Sequence, residues 1–432
     1  MTHYSLLPHP SHPLAPKAYC CRHLLMESLR KYLAPLEGLT EAMVEETTLW
    51  SSINSGTPNL AGIAKTASAV IPTFEAIGFK TTVIPPAPAT TVNRDGDIVP
   101  LERGPVYHLA KNPAANRRIL LAGHLDTVFP ADHPFQKVSQ TKDGKLHGPG
   151  CADMKGGIVV MREALRCFAA SPFADSIGFD ILLNSDEETG SHASSPSHAL
   201  FAKKADVGLV YEPALPDGTL AGARAGSGIY TFIVRGRSAH AGRSFNDGRN
   251  AIAGAARLIT SIDALNGQRE NTTLNLGTIK GGVASNVVPD LCLVELNVRG
   301  RSPEAMAWID ENVRGLIGSE NFGPDIRVEI AGGIHRPVKT NQGGTLALFE
   351  AVKACGAELG LEISWAPTGG CCDGNNLAAA GLPTVDTLGV RGAFIHSADE
   401  YAAIDSFVER AELSTLVMLG LAAGEIPWPA RV

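Results

Sequence analysis

Apolar residues recur at helical spacing over 41–53, stop at Ser55-Gly56-Thr57-Pro58, and resume over 61–77 before Gly78, which predicts two leading helices. After a loop carrying Pro85, Pro86 and Pro88, the segment 118–122, apolar after Arg118, reads as a short strand that delivers Gly123-His124 at its end. Helical spacing returns over 157–168, and 177–183 and 206–210 read as buried strands. Helices alternating with buried strands predict an α/β sheet. In such sheets ligands sit outside the carboxyl ends of the strands, where His124, Glu187, Glu188 and Glu212 all fall.

The pattern changes between about 226 and 337. It reads strand 228–235, helix 249–265, strand 273–279, strand 291–298, helix 303–317, strand 326–330. That β-α-β-β-α-β order is a complete ferredoxin-like unit, so 225–337 is expected to be a second domain inserted into the first. The first domain would then comprise 21–224 and 338–432, resuming with helix 344–359, strand 385–388 and helix 404–421. Residues 1–20, rich in His and Pro, are expected to be a flexible extension.

Composition narrows the function. The 432 residues are 44% hydrophobic and 19% charged, as in an ordinary globular protein with room for two domains. A net charge of −7, a pI near 6.0 and the lack of any basic run argue against a nucleic-acid partner. No apolar run approaches the ~20 residues that span a bilayer, and the N-terminus lacks a signal-peptide pattern, so no membrane partner and a cytoplasmic location are expected. The eight cysteines include the adjacent pairs Cys20/Cys21 and Cys371/Cys372 but no C-x-x-C, and free, mostly buried thiols are expected.

Chemistry-bearing residues gather in a few segments. In Leu121-Ala-Gly-His-Leu-Asp-Thr-Val128, His124 and Asp126 share a face of an extended chain, so Asp126 can orient the imidazole as carboxylates do behind metal-bound histidines. Asp153 lies in a glycine-dense turn just before a helix, and Glu187 and Glu188 follow Asp186 at the end of an apolar strand. Glu212 ends the next strand, and His396 sits in Ala393-Phe-Ile-His-Ser-Ala-Asp-Glu-Tyr401. Taken singly, each has an ordinary alternative: a surface hydrogen bond for His124, a helix N-cap for Asp153, a solvated loop for the acids, a core histidine for His396. Taken together, two histidines and three carboxylates, one of them shared, give two metals three protein ligands each plus a bridging water. Mixed N/O ligands without thiolate suit two Zn²⁺, with Co²⁺ or Mn²⁺ as substitutes. Glu187 would take the proton of the activated water.

The ordered segments G-H-L-D-T-V, G-C-A-D-M-K-G-G, D-E-E-T-G-S, Y-E-P, R-S-A-H-A-G and I-H-S-A-D-E-Y resemble the dinuclear zinc family of glutamate carboxypeptidase, acetylornithine deacetylase and succinyl-diaminopimelate desuccinylase. The resemblance covers roughly 40 to the C-terminus. It implies a mixed-sheet zinc-peptidase domain interrupted by a ferredoxin-like dimerisation or lid domain. It also implies Asp153 as bridging ligand, His124 and Glu212 on one metal, Glu188 and His396 on the other, and Glu187 as general base behind an Asp126-oriented His124. His240 resembles the histidine that reaches a partner subunit's site to steady the oxyanion, implying a homodimer. Asn286 and Arg299 resemble contacts to a substrate carboxylate, and Glu at the Glu212 position favours carboxypeptidases and deacylases. The expected substrate is a small peptide or an N-acyl amino acid with a free carboxylate; N-acetyl, N-succinyl and N-carbamoyl amino acids all remain open. Cys372 departs from the Ser or Thr usual before Asp373. Two other readings stand beside this one: a catalytically silent binding protein on the same fold, and a cysteine hydrolase using Cys371 or Cys372.

Overall fold

A computed structural model describes residues 27–319 and 322–431; the expected extension 1–20 and the Cys20/Cys21 pair lie outside them. The central sheet has six strands in the order Lys80–Ile84, Val106–Lys111, Gly178–Asn184, Arg118–His124, Val207–Val210 and Thr384–Val385. The first two pairings are antiparallel and the other three parallel, so the sheet is mixed.

Period-two geometry divides the apolar strands between two cores. Ile119, Leu121, Ile181, Leu183, Val207 and Leu209 join one cluster with the helices Gly156–Ala169 and Ser406–Ala423. Their neighbours Leu120, Ala122, Leu182 and Val210 join the other with Phe201, Ala202 and Leu377, from the helices Ser195–Ala202 and Asp373–Ala379. Both faces of the sheet are covered, which is why these strands read as continuous apolar runs. The four neighbouring parallel strands all end on one edge, and that edge carries the site.

The segment between 226 and 336 builds its own four-stranded antiparallel sheet, ordered Thr272–Gly281, Leu291–Gly300, Gly226–Arg235, Arg327–Arg336. The helices Ala251–Asp263 and Pro303–Ser319 supply Leu258, Ile262, Ile309 and Val313 to a separate core with Tyr230, Phe232, Val294 and Leu296. The two chain crossings are bonded to each other, Arg224 N to Lys339 O at 2.9 Å and Lys339 N to Arg224 O at 3.1 Å.

The last strand of this unit runs six residues past its expected end at 330. Gly332 and Gly333 continue the strand at φ of +83° and +153°. A Cβ at Gly332 would lie 2.3 Å from the Ile229 carbonyl oxygen, so glycine is there to let two strands approach, not to end one. The expected strand 385–388 is correspondingly shorter, Thr384–Val385, because Thr387 turns the chain at φ +63°.

Candidate metal centre

His124 is the last residue of the strand Arg118–His124. Its Nδ1 lies 3.0 Å from the Asp126 main-chain oxygen and 3.5 Å from the nearer Asp126 carboxylate oxygen. The carbonyl is therefore the closer partner for the Nδ1 proton, and Nε2 is the ring nitrogen that faces the cleft. The Asp126 carboxylate meanwhile accepts from Thr57 Oγ1 at 2.7 Å and from the backbone N–H groups of Glu187 and Glu188, both at 3.2 Å. It ties the loop after Gly178–Asn184 to the end of the neighbouring strand.

Asp153 is presented by the turn Cys151–Lys155, entered through Gly150 at φ +71°. Glu400 secures that turn by accepting from the N–H groups of Gly150, Ala152 and Asp153 at 3.0–3.1 Å. Burial pushes the Glu400 carboxyl up to about 7.

Asp153 faces both histidines. Its Oδ1 is 3.1 Å from His124 Nε2, its Oδ2 3.3 Å from His396 Nε2. Glu212 Oε1 stands 3.8 Å from His124 Nε2, and Glu188 Oε2 3.0 Å from His396 Nε2. Among the described residues two groups could hold an ion, His124–Asp153–Glu212 and Asp153–Glu188–His396, each with ligand atoms within 4.8 Å of one another. Asp153 belongs to both.

The electrostatics fit cations. Burial pushes the Glu212 carboxyl well above its ordinary value and raises Glu188, and the Asp153 charge raises both further. His396 is raised by its bonds to Asp153 and Glu188, so a proton is held between Glu188 and His396. Burial opposes ionisation of Asp153, but bonds from His124 and His396 outweigh it and hold that carboxyl low. Four buried carboxyls, counting Glu187, crowd one strand mouth. Protons relieve their repulsion here, and divalent cations do so more completely.

Asp153, Glu187, Glu188, Glu212, Arg299 and His396 line a cleft of about 790 Å³, with Arg224, Asn297, His335, Arg336 and Cys371 also in its wall. Arg299 donates to Asn297 Oδ1 at 3.3 Å and to Cys371 Sγ at 2.9 Å. His240 and Asn286 are not in the wall. Both are exposed, on a short ribbon where Ala239–His240 pairs with Val287–Val288 and Ala241 N donates to Asn286 O.

Cys372 is buried, and its Sγ accepts from Gly374 N at 3.3 Å as N-cap of the helix Asp373–Ala379. It does there what Ser or Thr does at an N-cap, away from the cleft. The six described cysteines are unpaired and all buried except the half-buried Cys371. Burial pushes the Cys371 and Cys372 thiols upward, the opposite of what a cysteine nucleophile needs.

Sequence reading did not reach Arg336, Asp373, Arg224 or Glu400. Arg336 lies six residues past the expected end of its strand. Asp373 and Glu400 are plain acids in the sequence, with nothing local to say what they bind.

The mixed sheet and its acidic, histidine-bearing strand mouth make a candidate metal centre. The chain belongs to peptidase family M20/M25/M40, whose profile matches residues 120–419. It is 29% identical over 319 residues to carboxypeptidase G2 of Pseudomonas sp. (strain RS-16), covering 72% of this chain and 75% of that one. It is 28% identical over 323 residues to the succinyl-diaminopimelate desuccinylase of Marinobacter nauticus, covering 71% and 84%. In fold it is similar to the aminopeptidase PepT from Bacillus cereus, with a TM-score of 0.62 and 21% identity over 88% of this chain and 97% of that one. A metallo-carboxypeptidase of the same family from Sulfolobus solfataricus gives 0.66 and 16% over 88% and 98%. Membership of that family makes it a metal-dependent hydrolase of amide bonds. No helix among the described residues is long and apolar enough to cross a membrane.

Proposed function

We propose that this enzyme holds two divalent cations, zinc by preference, and cleaves the amide of a substrate that carries a free carboxylate beside it. The observation that carries the reading is the sharing of Asp153 by two ligand groups in the cleft that also holds Glu187 and Arg299. His124 and Glu212 hold one cation, Glu188 and His396 the other, and Co²⁺ or Mn²⁺ fits the same oxygen and nitrogen donors. Cations bound there lower the pKa of a coordinated water and polarise the scissile carbonyl.

The chain's own groups do the rest. Glu187 is in neither ligand group, and burial pushes its carboxyl up to about 7, against the pull of Arg336. A group poised near neutrality both accepts the water's proton and returns it to the leaving nitrogen. Arg299 supplies a guanidinium fork for the substrate carboxylate. A carboxypeptidase and a desuccinylase among the relatives agree with a carboxylate-bearing substrate. Their acyl and leaving groups differ, and N-acetyl, N-succinyl and N-carbamoyl amino acids all fit this machinery.

Comparing an N-acyl amino acid with its carboxamide tests this reading. The carboxamide is expected to lose about 10²-fold in kcat/KM, and Arg299→Met is expected to erase most of that preference, since a charge-assisted bond contributes about 1.5–3 kcal/mol. Equal turnover of acid and amide by the unaltered enzyme overturns the carboxylate assignment.

The 225–337 unit serves, on this reading, as a lid and dimerisation domain. His240 and Asn286 stand together on an exposed ribbon outside their own cleft. The partner subunit's cleft is where they would act, with His240 steadying the oxyanion and Asn286 meeting the substrate. Mixing inactive His240→Ala with inactive Glu187→Gln is then expected to restore up to about a quarter of wild-type activity through hybrid dimers, each with one intact site. No recovery in a mixture that sedimentation proves to be dimeric and exchanged rules out the action across subunits. A cytoplasmic location is part of the same proposal.

A further inference from the structure

The strand Arg327–Arg336 belongs to the inserted sheet, but its last residue reaches into the catalytic unit. Its pairing with Gly226–Arg235 slips at that point: Gly228 faces Ile334, whereas Ser227 faces Arg336, so His335 is bulged out of register. A bulge bends the strand and re-aims the side chain that follows. Arg336 is thereby carried under the strand mouth, where it is only 2% exposed.

Both terminal nitrogens of its guanidinium are engaged. Nη2 donates to Glu187 Oε1 at 2.6 Å and to the Glu187 carbonyl oxygen at 3.1 Å, and Nη1 donates to Asp373 Oδ1 at 2.6 Å. Asp373 is anchored in turn: it accepts from Ser191 Oγ at 2.6 Å and Asn184 Nδ2 at 2.8 Å, and His198 Nε2 stands 3.3 Å from its Oδ2. Glu187 is thus gripped at its backbone and its carboxylate by one planar group, whose other arm is fixed to the helix Asp373–Ala379. Arg299, by contrast, lines the cleft on a sulfur and an amide oxygen, with no carboxylate partner among the described residues.

We propose that Arg336 is a positioning residue for Glu187: the bulged end of the inserted sheet sets the place and orientation of the carboxylate that moves the proton. The proposal rests on the reading of Glu187 as general base. It makes the seating of the inserted unit a condition for turnover, because the strand that carries Arg336 is part of that unit's sheet. A lysine at 336 keeps the charge but loses the fork, since an ammonium cannot hold two carboxylates in one plane.

The test is steady-state kinetics of the metal-loaded enzyme on an N-acyl amino acid. Arg336→Lys is expected to lower kcat about 10²-fold, the cost of a reacting group displaced by about 1 Å. KM stays within about threefold and the metal content is unchanged. Asp373→Asn, which frees the far arm of the fork, is expected to lower kcat less and in the same sense. The double variant is expected to be no slower than Arg336→Lys alone, because both act through one grip. Unchanged kcat in Arg336→Lys overturns the proposal, as does a loss confined to KM, which would make Arg336 a substrate contact. Should Arg336→Lys fail to fold, Asp373→Asn decides by the same split. Glu187→Gln in the same assay separates the two readings: if it retains turnover the base assignment falls, and if it alone is slow only the role of Arg336 falls.

Discussion

Glu187→Gln is expected to lower kcat by about 10³-fold or more while KM stays within about threefold and both metals remain bound. The substitution keeps the size of the side chain and an oxygen that can accept from Arg336, and Asp373 still balances the Arg336 charge. What it removes is a base. General acid–base catalysis contributes about 10²–10⁴-fold, and Glu187 is asked to act at two steps, which places the effect toward the upper end. Glu187 is in neither ligand group, so elemental analysis separates loss of the base from loss of the metals. Wild-type turnover in the variant, or a fall in metal content that accounts for the slower rate, would show that Glu187 is not the base.

The second large effect is expected from Asp153→Ala. Asp153 is the one residue common to both groups, standing within 3.3 Å of each histidine. Its removal is expected to take the metal content from about two equivalents to background and activity below detection. Glu212→Ala or His396→Ala, each touching one group, is expected to leave about one equivalent. In the unaltered enzyme, metal affinity is expected to rise with pH. Glu188 and Glu212 have raised pKa values and the Glu188–His396 pair holds a proton, so binding displaces protons and strengthens about tenfold per pH unit for each one released. Metal removal should also lower stability by about 4 kcal/mol per site at a thousandfold excess over Kd, read as a metal-dependent Tm. An Asp153→Ala protein that keeps two equivalents, or an affinity flat between pH 6 and 8, contradicts a centre built on Asp153.

The fold class was legible because its main signals are local. Runs such as Ile119–Ala122 and Ile181–Leu183 are apolar on both faces only where a sheet is covered twice, and the change of pattern near 226 marks a segment with a sheet and core of its own. The reading fell short where the strand expected to end at 330 runs on through Gly332, which lies against the Ile229 carbonyl of the neighbouring strand. That error hid Arg336.

The amino-acid order already held the two histidines and the carboxylates at strand ends, since residue type and period-two or helical spacing are properties of neighbours in the chain. It could not say that Asp126 would turn its carbonyl to His124 and its carboxylate to the Glu187–Glu188 backbone, because that depends on which strands lie side by side. Glu400 beneath the Asp153 turn and Arg336 between Glu187 and Asp373 are contacts of the same kind. They join residues from 37 to 250 positions apart. No spacing rule reaches across such separations, and it is the packing of the sheets and the bulge before Arg336 that brings those groups together.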